Sequence, residues 1–169
     1  DLLQWLETTD PSRLEELYAE AYRVKCEHVG AVVYFRGIIE LSNICQKNCL
    51  YCGIRKGNHN VERYQMSLDE IAQTAYLAHQ MKYGSIVLQS GERQDDAFTQ
   101  FIEEAIKKIK HVSEGRLGIT LSLGEQSKET LQRWFKAGAH RYLLRIETSN
   151  ESLYQKIHPD DHSFQERFA

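Results

Sequence analysis

Little in this chain favours disorder, a membrane or a polyanionic partner. Only two of its 169 residues are proline and 41% are hydrophobic, the composition of a globular chain. That length suits one domain. No apolar run approaches the ~20 residues of a membrane-spanning helix. Neither charge sign dominates: 21 Lys and Arg stand against 24 Asp and Glu, net −3. There is thus no electrostatic case for nucleic acid or an anionic membrane as partner. The opening DLLQWLETTD is acidic and polar, unlike a signal peptide, and it lacks an initial Met, so a trimmed or processed piece is expected. Cysteine is scarce as well. A secreted disulfide framework would hold more and spread them evenly, so a reducing, cytoplasmic setting is expected.

The pattern that remains is a repeat of strands and helices. Asp10 caps a predicted helix that Pro11 opens and Gly30 ends, with Leu14, Leu17, Tyr18, Ala21, Tyr22 and Val29 at helical spacing. Residues 31–42, AVVYFRGIIELS, read as a strand, and an irregular stretch follows to about Met66. Three further strands are predicted at 85–92, 117–125 and 141–148. The helices between them start at Ser67, with a capping box to Glu70, at residue 95 and at Ser127. Another helix begins near Asn150, and DDHSFQERFA leads towards one more.

Four β/α units of this kind imply a parallel sheet. Polar residues on one strand face (Arg36 and Glu40, Thr120 and Ser122, Arg145 and Glu147) point to a lined cavity, since a sheet covered on both faces would be almost wholly apolar. The predicted fold is therefore α/β, with four β/α units forming about half of a TIM-type barrel. The expected division is an N-terminal helical segment, 1–30, and the N-terminal half of the barrel, 31–169, with the other half missing. In such folds the site lies beyond the carboxyl ends of the strands.

At that position sits CQKNCLYC, which places Cys45, Cys49 and Cys52 together while Cys26 stands far upstream. Zinc would need a fourth ligand, His59 at best, and the seven histidines include no pair at metal spacing. A Cys49–Cys52 dithiol should open a helix and leaves Cys45 unexplained. An electron-carrying 4Fe–4S cluster would need four thiolates, with only Cys26 spare, and Cys26 reads as a half-buried apolar residue. A cubane held by three thiolates leaves one iron open for a ligand, and this accounts for three cysteines.

The C-x3-C-x2-C triplet with Tyr51 before its last cysteine resembles the signature of radical S-adenosylmethionine enzymes. RGIIELSNICQKNCLYCGIRKGNHNVERYQMSLDEI, IVLQSGE, LSLGE and RYLLRIETSN resemble the FeFe-hydrogenase maturase branch of that superfamily, related to biotin synthase and methylornithine synthase. The resemblance runs from about residue 31 onward. It implies a 4Fe–4S cluster on Cys45, Cys49 and Cys52, whose open iron takes the amino and carboxylate groups of S-adenosylmethionine. It further implies reductive cleavage to a 5′-deoxyadenosyl radical, a small sulfur- or iron-containing substrate, and an electron donor such as a ferredoxin or flavodoxin. The substrate belongs to assembly of the hydrogenase cluster; another biotin synthase-like or methylornithine synthase-like reaction is the alternative. A non-catalytic iron–sulfur or zinc module is the alternative of another class.

On the same resemblance, Gln89, Ser90, Gly91 and Glu92 face the cofactor's amino group, Gly91 allowing close backbone approach. Glu125 takes the ribose hydroxyls, with Ser122 beside it, and Arg145 forks onto the carboxylate. Tyr51 packs near adenine or the cluster. Each has a plainer reading: a strand-to-loop turn, a helix-start acid, an internal ion pair and a loop aromatic. Arg63, Tyr64 and Met66 close the cysteine loop. Lys47, Arg55 and Lys56 are expected to face solvent.

Overall fold

The computed structural model describes residues 2–168, which form two compact units, one up to Tyr34 and one from Phe35 onward. In the first unit, α1 (Leu2–Glu7) precedes α2 (Pro11–His28), and neither buries a residue. Asp10 caps α2 by accepting from the Ser12 amide, and Gly30 leaves the helix at φ 84°, a conformation glycine adopts without strain. The Arg13 guanidinium lies 4.9 Å over the Trp5 ring. The apolar stripe of α2 stays half-buried or exposed; Tyr18 and Tyr22 are among its exposed members.

The second unit is a four-stranded parallel sheet in the order β1 (Arg36–Ser42), β2 (Ser85–Ser90), β3 (Gly118–Ser122), β4 (Arg141–Tyr142). The strands alternate with α3 (Leu68–Gln80), α4 (Asp96–Val112) and α5 (Lys128–Ala137); α6 (Glu151–Ile157) and α7 (Phe164–Phe168) follow. Ile39, Leu88, Leu121 and Tyr142 stand side by side across the sheet, and so do Glu40, Gln89 and Ser122. Because strand side chains alternate, the first row and the second face opposite ways. The first joins Leu41, Ile86 and Ile119 in a core closed by Ile71 and Ala75 of α3, Phe98, Ile102, Ile106 and Ile109 of α4, and Trp134 of α5. Trp134 is fully buried and donates its indole N–H to the Thr99 carbonyl at 3.0 Å.

The opposite row keeps its polar residues away from this core, as a barrel lumen requires and a sheet covered on both faces does not. The α/β half-barrel architecture predicted from sequence is the observed one. All four predicted strands come out shorter, β2 and β3 by two to four residues and the first and last by more. Residues 31–35 lie outside the ladder, so β1 starts at Arg36. Beyond Tyr142 only Leu143 still reaches β3, donating to the Leu121 carbonyl at 2.8 Å. Glu147 then takes φ 59°, which ends any strand there. The capping box of Ser67 and Glu70 is present, but α3 stops at Gln80 and turns through Lys82 at φ 60°, ahead of Gly84. Among the described residues, no helix is long and apolar enough to cross a membrane.

Candidate functional site

The cysteine loop leaves β1 at Asn43 and is drawn back to it at Tyr64. The Asn43 side chain donates to the Glu62 carbonyl (2.7 Å) and accepts from the Tyr64 amide (2.8 Å), while the Ser42 hydroxyl donates to the Tyr64 carbonyl (2.9 Å). Inside the loop, Arg63 gathers the carbonyls of Asn43, Ile54, Arg55 and Asn58 at 2.7–3.0 Å. One half-buried guanidinium thus satisfies four acceptors that water would otherwise have to reach. Further along, Gln46 donates to the Glu92 carbonyl (2.9 Å), and Gly91 to that of Ser42 (3.3 Å), stitching the loop to the end of β2. A Cβ at Gly91 would sit 2.4 Å from the Ile44 carbonyl oxygen and 2.6 Å from the Cys45 Cβ, so only glycine permits this approach.

Cys45, Cys49 and Cys52 are free, half-buried and directed to one cleft. The Cys45 sulfur accepts from the amides of Lys47 and Glu92, each at 3.4 Å. Burial pushes the Cys49 thiol up to about 11, with the neighbouring cysteines adding to the shift and Tyr51 opposing it. A cation at this site would reverse that preference. Among the described residues, the three sulfurs do not form a group within 4.8 Å of one another. The donor set, the free thiols and the Gly91 approach suit a 4Fe–4S cluster.

The cleft has a volume of about 230 Å³. Its other wall is the carboxyl ends of the strands: Gln89, Ser90, Gly91 and Glu92 after β2, Ser122 and Gly124 at β3, and Leu143, Leu144, Arg145 and Glu147 after β4. Tyr51 and Ile54 complete the loop side. The structure thus brings together the three cysteines and every residue assigned to the cofactor from sequence except Glu125. Arg145 is exposed, and its guanidinium has no ion-pair partner among the described residues. The internal ion pair that is its plainer reading, for which Glu40, Glu125 and Glu147 are the acids at hand, is not formed among the described residues.

Glu92 is 7% exposed, and burial raises its carboxyl above the ordinary range, opposed by the Glu125 amide and by Lys47. Its Oε2 accepts from that amide at 3.0 Å, and Lys47 Nζ stands 3.7 Å from Oε1. Glu125 lies outside the cleft lining. Arg167 Nε donates to it at 2.7 Å, and His162 Nδ1 is 3.1 Å away. Glu92, Glu125 and His162 are compact enough to hold an ion, yet Lys47 and Arg167 already supply the balancing positive charge. Burial lowers His162 despite the nearby Glu125 carboxylate.

Three side chains escaped the sequence reading. Lys47, expected in solvent, is mostly buried between Glu92 and Asp161, because Asp161 comes back across the loop to meet it at 2.9 Å. Although burial opposes it, the Asp161 hydrogen bond and the Glu92 charge hold Lys47 above its ordinary value. His162 and Arg167 line the cleft from the segment after β4. The only signal in that stretch, HPDDHSFQER, is an approach to another helix, which says nothing about where its side chains go.

Comparison with known proteins agrees with this geometry. Residues 39–169 match the family model of the radical SAM superfamily. The chain is 43% identical over 166 residues to the FeFe hydrogenase maturase subunit HydE of Thermotoga maritima, covering 98% of this chain and 46% of that protein. It is 28% identical over 162 residues to 3-methylornithine synthase of Methanosarcina acetivorans, covering 93% of this chain and 44% of that protein. The crystal structure of methylornithine synthase (PylB) superposes with a TM-score of 0.86 at 26% identity, over 99% of this chain and 49% of that one. The chain thus spans about half the length of the curated relatives it matches.

Proposed function

This chain belongs to the radical SAM superfamily, and from that premise we propose that it carries the cluster- and cofactor-binding half of a HydE-like enzyme acting in assembly of the FeFe-hydrogenase active-site cluster. The observation that carries the reading is the shared cleft: three free thiols from one short loop face strand ends that present Arg145, which has no ion-pair partner among the described residues. Cys45, Cys49 and Cys52 would hold three corners of a 4Fe–4S cluster and leave the fourth to S-adenosylmethionine. When bound, the reduced cluster and S-adenosylmethionine supply one-electron cleavage of a carbon–sulfur bond to a 5′-deoxyadenosyl radical.

The chain's own residues do the binding and orienting. Arg145 offers two parallel N–H donors to a carboxylate, the pairing that fixes both position and angle. Gln89 and Ser90 with the backbone around Gly91 offer acceptors for an ammonium group, and Glu92 sets the negative charge of that wall. Ser122 faces the ribose side. Glu125 acts through Arg167, which it holds against the cleft. Tyr51 covers the loop side, and Ile54, Leu143 and Leu144 keep water from the reacting groups. The substrate is a small sulfur- or iron-containing precursor, and a ferredoxin or flavodoxin supplies electrons.

Anaerobic reconstitution with iron and sulfide tests this. About four iron and four sulfide per chain are expected, with an electron paramagnetic resonance signal that changes when S-adenosylmethionine is added. Stoichiometric zinc without sulfide would refute it. The likeness to methylornithine synthase supports a second reading, a carbon-centred rearrangement. Product analysis of the loaded protein separates the two: formation of 3-methylornithine would replace the maturase reading.

A further inference from the structure

Each stretch between the three cysteines is gripped by the same distant segment. Lys47 Nζ donates to the Asp161 carbonyl at 3.1 Å and to its carboxylate at 2.9 Å. The Leu50 amide donates to the Ile157 carbonyl at 2.8 Å. The Tyr51 hydroxyl lies 3.0 Å from His158 Nε2, with the two rings edge to face at 5.3 Å. These partners lie more than 100 positions away in sequence, from the last residue of α6 to the turn before α7. His158 is itself fixed. It is 6% exposed, it stacks on Tyr154 at 3.8 Å and 17°, and its Nδ1 lies 3.0 Å from the Tyr154 carbonyl. A carbonyl can only accept, so Nδ1 bears hydrogen, and Nε2 is left facing the Tyr51 hydroxyl as its hydrogen-bond partner.

We propose that residues 157–162 are a strap that presets the spacing of Cys45, Cys49 and Cys52, with His158 as its positioning residue acting through Tyr51. The proposal rests on the functional reading above only for what the three sulfurs hold. A preset loop loses little freedom when it takes up its metal body, and partners one shell out from metal ligands typically change affinity ~10–100-fold.

The test uses the whole chain as His158→Ala, His158→Gln and Tyr51→Phe beside the parent. Hydrogen exchange of residues 45–52 in metal-free protein is measured first. The alanine and phenylalanine variants should raise it about tenfold while α4 exchange stays unchanged. Glutamine, whose amide oxygen can accept from Tyr51, should restore the parent rate. After anaerobic reconstitution, iron loss to a chelator should quicken by about tenfold or more in the first two variants, with a shifted resonance spectrum. Unchanged loop exchange, a failure of glutamine to rescue, or an equal rise throughout the sheet and helices would each overturn the strap. A parent chain that binds no iron and sulfide, yet shows the exchange differences, would overturn the functional reading and leave the strap standing.

Discussion

The two faces of one sheet follow opposite rules. Leu88 and Gln89 are neighbours on β2, yet Leu88 is fully buried against α3 and α4 whereas Gln89 lines the cleft. The helix-covered face is filled with isoleucine and leucine and stabilises the unit through area removed from water. The cleft face holds polar groups that contribute little to stability and are free to bind. Stability and chemistry are thus separated by a single alternation of side chains, as expected where function is grafted onto a scaffold.

Leu88→Ala should break the covered face and cost about 2–5 kcal/mol in denaturant unfolding. Gln89→Ala should stay within about 0.5 kcal/mol. Comparable losses in the two would erase the distinction between the faces. Next in size, Arg145→Gln should leave the melting temperature unchanged but weaken S-adenosylmethionine binding to reconstituted protein by about 1.5–3 kcal/mol, read by calorimetric titration. Gly91→Ala sharpens the comparison, because that residue belongs to the cleft yet is as tightly packed as the core. It should destabilise by about 1–3 kcal/mol through the clash with Ile44 and Cys45, and reduce iron uptake as well.

The smallest effect concerns pH. His162 lies among Glu92, Glu125, Lys47 and Arg167, with its folded value lowered from 6.5 by burial. The unfolded chain therefore binds the proton more readily. Stability from this group is present above 6.5 and is lost as pH falls from there through the lowered value. His162→Gln should flatten that part of the stability–pH curve; an unchanged slope would show that another group titrates there.

Local signals were readable to the extent that their causes are local. Ser67 with Glu70, Ser127 and Asp10 start helices through hydrogen bonds spanning two or three residues, and each cap is where its pattern placed it. The triplet of cysteines is compact in sequence and needed no fold to be noticed. The last strand was overread. Residues 143–148 are apolar enough for a strand, but a strand extends only as far as a partner's backbone accompanies it, and β3 ends at Ser122. His158, His162 and Arg167 were missed for a related reason. Their partners are Tyr51, Glu92 and Glu125, and no periodicity within a helix or strand encodes contacts so distant in sequence. Lys47 was misjudged because its burial depends on Asp161, 114 positions away.

Arg63 has a consequence for damage and repair. Its guanidinium holds the carbonyls of Asn43, Ile54, Arg55 and Asn58 without help from any sulfur, so the two flanks of the cysteine segment are tied to each other whatever the cysteines carry. Were the proposed cluster lost to air, those flanks would still be in place when fresh iron and sulfide arrive.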